Sequence, residues 1–131
     1  MMGFPSNHLH SEYLFPWYNN VGLYSQLRIG NDSGASTDVT IYIGGTEMET
    51  VTIADGISYQ VKYDGVNAGP VSVVSSGADI AVAMRVIYEQ GGLKVSYSEL
   101  MGYPSDQLHS EYLSPWYNNV GLNSQLMIGN P

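Results

Sequence analysis

His8 and His10 flank Leu9, and on an extended strand that spacing puts both imidazoles on one side, as metal ligation requires. The same stretch recurs later as Gln107-Leu108-His109, so the pair of imidazoles is not kept within the chain, and polar surface histidines are the simpler reading. What does recur is His10 with Glu12 and His109 with Glu111, a spacing that suits a hydrogen-bonded pair at a joint. No serine nucleophile is assignable to either pair, so a hydrolytic triad is not supported. The run Asp32-Ser33-Gly34-Ala35-Ser36-Thr37-Asp38 carries oxygen ligands at intervals, loosely as a calcium loop does. It lacks the closing Glu of an EF-hand and is followed by strand pattern, not helix, which favours a polar turn. Lys62 and Lys94, the only lysines, show no spacing that marks a Lys–Asn cross-link. These residues point to no catalyst, no metal and no cofactor.

Trp17-Tyr18-Asn19-Asn20 and Trp116-Tyr117-Asn118-Asn119 are the more informative groups. Indole and phenol rings beside amides suit stacking on a sugar face. They suit an interface anchor better, because Trp and Tyr combine large buried area with a polar tip. Packing inside the unit is the third option. The expected interface residues are Tyr13, Pro16, Trp17, Tyr18, Asn19 and Asn20 in the first group. In the second they are His109, Tyr112, Pro115, Trp116, Tyr117, Asn118 and Asn119.

The two groups lie inside a longer duplication. Met2–Asn31 and Met101–Asn130 align without a gap at a constant offset of 99 residues. Of 30 aligned pairs, 24 are identical. The differences are Phe4/Tyr103, Asn7/Asp106, His8/Gln107, Phe15/Ser114, Tyr24/Asn123 and Arg28/Met127. Met1 falls opposite Leu100, so Met1 need not mark a translational start. A 99-residue period is too long for a solenoid turn and matches a small domain. The chain therefore reads as one full repeat, 1–99, divided into a linking segment, 1–25, and a sandwich, 26–99. Residues 100–131 begin the next repeat as a linking or donor segment.

Between the copies the pattern is all β. Thr37–Ile43 alternates, with Val39, Ile41 and Ile43 on one face. Gly44-Gly45 is a hairpin signal, and Glu47–Ile53 returns. Ile57–Tyr63 alternates with Ile57, Tyr59, Val61 and Tyr63 facing inward. Gln26–Gly30, Val71–Ser75, Asp79–Glu89 and Leu93–Glu99 complete seven short strands separated by turn residues. In Asp79–Glu89, Ile80, Val82, Met84, Val86 and Tyr88 share a face, while small alanines opposite them suggest a central strand. Pro16 breaks the apparent four-residue spacing of Leu9, Tyr13 and Trp17, so Glu12–Tyr18 is expected to run extended at an edge or bulge. This spacing of strands and turns predicts an antiparallel β-sandwich of about seven strands.

Net charge is −8, from twelve acids against four bases. That excludes a nucleic-acid binder, which needs clustered Lys and Arg, and disfavours anionic membrane surfaces. No stretch approaches the roughly 20 apolar residues of a membrane span. The opening residues lack the basic and apolar regions of a signal peptide, so export would depend on a signal removed or lying upstream. Only 12 % of residues are charged and there is no Cys. A surface of neutral polar groups leans toward an extracellular or assembling protein.

DVTIYIGGTEMETVTIADGISYQVKY resembles the central hairpins of bacterial and archaeal extracellular Ig-like domains of the CARDB kind, and ADIAVAMRVIY is similar to their penultimate strand. The likeness spans about Gln26 to Leu100. Such domains occur as strings in large surface proteins, so the resemblance implies a structural or adhesive module. A ribbon present at both ends of one sandwich can complete its own unit once. The other copy must find an acceptor in a neighbouring unit or stay exposed. The expected function is a repeat unit of an extracellular filament or surface stalk, joined head to tail to copies of itself. The alternative is a surface adhesin or carbohydrate-binding module whose partner is a glycan.

Overall fold

A computed structural model describes residues 3–121 and 124–131. Met2, which opens the first ribbon, and Asn123, one of the six differing positions, lie outside the described residues. The fold is an antiparallel β-sandwich without α-helices among the described residues. In chain order the strands are β1 (Glu12–Phe15), β2 (Tyr18–Asn19), β3 (Tyr24–Asn31), β4 (Thr37–Ile43), β5 (Thr46–Ile53) and β6 (Ile57–Val61). They continue as β7 (Asn67–Ala68), β8 (Val71–Ser75), β9 (Ile80–Gln90), β10 (Leu93–Met101) and β11 (Tyr103–Pro104). One sheet has the order β11-β1-β8-β4-β5 and the other β10-β9-β3-β6, while β2 and β7 form a separate ladder.

The alternating strands fold as their pattern demands. Val39, Ile41 and Ile43 of β4 are buried, as are Leu27 and Ile29 of β3 and Ile80, Val82 and Met84 of β9. Each fully buried aliphatic side chain of this kind contributes about 1.5–3 kcal/mol relative to exposure. These residues of both sheets, with Tyr13, Phe15 and Tyr18, form one continuous core. β9 is a central strand, hydrogen-bonded to β3 on one side and β10 on the other.

Several expectations are corrected. Ile57 is exposed, because β6 is an edge strand and its first residue lies beyond the core. Tyr88 also points to solvent, since the β9–β10 hairpin runs past the body of the sandwich. The segment 1–25 is not a mere linker. β1 lies between β8 and β11, β2 pairs with β7, and β3 begins at Tyr24. Pro16 ends β1 and leaves room for the chain to step to the second ladder. Glu12–Tyr18 runs extended as expected, though β1 is flanked on both sides and is not an edge; β7 and β11 escaped the sequence pattern because each is two residues, too short for a period of two to register.

Candidate inter-unit joint

In the first ribbon the aromatic side chains are structural. Tyr13 and Tyr18 are fully buried and Asn19 is buried with them, so these three do not form a surface interface, contrary to expectation. Burial is tolerable because both hydroxyls and the Asn19 amide oxygen are hydrogen-bonded. The Tyr18 hydroxyl donates to Ser25 O at 3.0 Å and accepts from the Tyr63 amide at 2.8 Å and from Asn20 Nδ2 at 3.0 Å. Asn19 Oδ1 accepts from the amides of Val21 and Gly22 at 2.8 and 3.0 Å. Trp17 is half-buried, its Nε1 donating to Asn67 Oδ1 at 2.8 Å, while Pro16 is exposed.

The second ribbon repeats this local geometry without the surrounding core. His109 N donates to Tyr112 Oη at 2.9 Å, as His10 N does to Tyr13 Oη at 3.0 Å. Tyr117 Oη donates to Ser124 O at 3.1 Å, and Asn119 Nδ2 to Tyr117 Oη at 2.8 Å. Val120 N donates to Asn118 Oδ1, and Ser124 Oγ to Asn118 O, both at 2.7 Å. Ser124 N donates to Asn119 Oδ1 at 2.6 Å, matching the bond from Ser25 N to Asn20 Oδ1. Each of these bonds has its counterpart 99 residues earlier. Even the 3-10 turns correspond, Ser6–His8 with Ser105–Gln107.

The surroundings differ. Tyr18 is 0 % exposed and its counterpart Tyr117 is 61 % exposed; Leu14 is 8 % and its counterpart Leu113 is 90 %. Trp116, at 71 %, has no partner for its indole among the described residues, and Tyr112 and Pro115 are exposed as well. His109 and Asn119 are exposed and Asn118 is half-buried. In its middle, with Tyr112, Leu113, Trp116 and Tyr117, the second ribbon thus keeps its local bonds outside any core.

Its first residues form a joint with the sandwich. β11 pairs with β1 through Tyr103 opposite Leu14 and Pro104 opposite Tyr13. Gly102 N donates to Val82 O at 2.9 Å. A Cβ on Gly102 would lie 2.8 Å from Tyr13 Cβ, so only glycine allows β10 to turn onto β1 here. His10 Nδ1 lies 3.2 Å from Asp106 Oδ1, and its Nε2 is 3.1 Å from Gln107 Nε2. His10 therefore does sit at a joint, but Glu12, its expected partner, accepts from Ser72 Oγ instead. His8 is exposed and takes no part. At the far end of the ribbon, Gly129 packs on Pro16 and Pro70, beside Trp17, around an opening of about 400 Å³.

The Asp32–Asp38 loop is held as a turn. Asn31 Nδ2 donates to Ala35 O and Asp55 Oδ1 accepts from the Gly34 amide, both at 2.8 Å, while Thr52 Oγ1 donates to Asp38 at 2.6 Å. Among the described residues no three His, Cys, Asp or Glu side chains gather to hold a metal ion.

No family model matches the chain, and no curated protein matches it. Among solved structures, the chain is similar to the crystal structure of Thermotoga maritima 1070, at a TM-score of 0.57 and 13 % identity. The match covers 74 % of this chain and 96 % of that one. It speaks for the fold alone, and its extent is close to the length of a single 99-residue unit.

Proposed function

We propose that the chain is a structural repeat unit of an extracellular filament or surface stalk, joined head to tail through the duplicated ribbon. One observation carries this reading. The second ribbon already holds the hydrogen bonds of the first, yet Leu113 and Tyr117 stand in solvent where Leu14 and Tyr18 are enclosed, and Trp116 is exposed where Trp17 is half-buried. Exposed apolar surface of that kind marks an interaction site. The surface it fits is one built like residues 32–100, which is what the next unit of a tandem array would supply. The joint supports a stiff connection, because β10 passes through Gly102 into β11 and β11 is paired to β1. The low charge density and the likeness to strings of surface domains support an extracellular setting.

Electron microscopy of native material tests this. Beaded threads are expected, and a chain lacking Met101–Pro131 should remain a folded, dispersed module. Threads formed by that shortened chain would overturn the reading.

The exposure of Trp116 and Tyr117 favours a second reading, a glycan-binding surface. It is the weaker one, because the amides that would bind sugar hydroxyls are turned inward. Asn118 Oδ1 is occupied by the Val120 amide, and Asn119 is occupied by Tyr117 and Ser124. Trp116→Ala should leave glycan arrays unchanged if the first reading holds.

A further inference from the structure

If each core can accept a ribbon of this kind, two ribbons compete for the core at residues 32–100: the one before it and the one after it. We infer that the aligned position occupied by Phe15 and Ser114 decides which ribbon that core holds. This rests on the joint reading above.

Backbone and local hydrogen bonding cannot make the choice, because the two ribbons share both. Proximity cannot make it either, since the second ribbon already touches the first at Leu14, His10 and Pro16. The choice must fall on the six differing positions. In the first ribbon, Asn7 and His8 are exposed, and Phe4, Tyr24 and Arg28 are half-buried. Phe15 alone of the six is in the core, at 2 % exposure. Putting serine there would leave a void of nearly a phenyl ring and enclose a hydroxyl. Losses of that kind correspond to roughly a hundredfold or more in an equilibrium constant. Arg28 works in the opposite direction, because its Nε is buried without a hydrogen-bond partner among the described residues and its counterpart Met127 would remove that burden, but one half-buried side chain does not offset the loss of a core aromatic. The ribbon with Ser114 is therefore a poor competitor for this core and is left free for a core with compensating volume. In an array that fixes the order of units.

Limited chymotrypsin digestion of the full chain, followed by mass spectrometry at a dilution where the chain is monomeric, tests the assignment. In the native sequence, cleavage is expected beside Tyr112, Trp116 and Tyr117, with the first ribbon protected. Ser114→Phe leaves the core untouched and gives the second ribbon the same anchor. Cleavage should then appear in both ribbons, with their ratio shifted by roughly a hundredfold. In the exchanged variant, Phe15→Ser with Ser114→Phe, protection should move to the second ribbon and cleavage to Tyr13, Trp17 and Tyr18. Should the exchanged variant unfold, Ser114→Phe decides alone. A native cleavage pattern in Ser114→Phe, or in a folded exchanged variant, would overturn the assignment while leaving the joint reading intact. A native second ribbon as resistant as the first would instead overturn the joint reading.

Discussion

Tyr18 and Tyr117 are the same residue in the same local turn, and they differ only in what surrounds them. That makes the pair a measure of what burial adds to a hydrogen bond. Tyr18→Phe would strand the Tyr63 amide, which donates to its hydroxyl, while Asn20 Nδ2 keeps its bond to Ser25 O. A cost of about 1–3 kcal/mol is expected in urea unfolding. Tyr117→Phe loses equivalent local bonds in solvent, where water replaces them, and should stay within about 0.5 kcal/mol of the parent. Equal costs would mean that the second ribbon is enclosed like the first. No motif distinguishes the two tyrosines, because residues 16–23 and 115–122 are identical and Tyr63, whose amide donates to Tyr18, lies 45 positions away. Buried phenols also set the alkaline limit of stability. Tyr63 is held well above the ordinary phenol range by desolvation, reinforced by its 2.6 Å bond to Glu49, and Tyr18 is raised by burial too. A pKa raised on folding leaves stability intact below the unfolded value of about 10 and removes it as pH rises further. Unfolding midpoints should therefore hold up to pH 9 and fall between pH 10 and 12. Tyr63→Phe should flatten that fall.

At the scale of elements, the seven longer strands were legible because alternation and glycine turns announce them. The short ones depend on close backbone approach, which leaves a fainter trace. Gly69 illustrates it. A Cβ there would lie 2.5 Å from Pro16 O and 2.9 Å from Trp17 Cα, so the β7–β8 corner is seated directly on the step from β1 to β2. Gly69→Ala should destabilise the fold by about 1–3 kcal/mol through backbone displacement, read as a lower thermal midpoint. Gly77→Ala is the control, because nothing lies within 4 Å of its Cβ position. The glycines were visible in sequence, but which of them faces a neighbouring backbone depends on a topology that no local pattern encodes. The joint is similar in kind: the Gly102–Tyr13 approach and the His10–Asp106 contact bring together residues 89 and 96 positions apart in the chain.

For the whole molecule, the duplication was the strongest signal in the sequence, and what it could not say was which copy is enclosed. Charge placement was equally hidden. Register puts Arg28 and Arg85 on the outer face of the β10-β9-β3-β6 sheet with Tyr24, and Lys62 and Lys94 lie 4.9 and 5.8 Å from that ring. All four cations of the chain thus share one face. The remaining surface carries most of the twelve acids, and like charge of that kind opposes lateral contact. The head-to-tail joint can be tested on one extended molecule. Appending a second copy of residues 32–100 after the second ribbon supplies the missing core. Trp116, now 71 % exposed, should then become half-buried like Trp17, with its indole bonded to the appended counterpart of Asn67. Its fluorescence should shift to the blue, best read in a Trp17→Phe background where it is the sole original indole. The appended unit carries serine at the core position of Phe15, so it should unfold first, about 3–5 kcal/mol less stable than the unit before it. Ser114→Phe should bring the two transitions together. An unchanged Trp116 spectrum would show that a core of this design does not take the second ribbon, and the head-to-tail joint would fail with it.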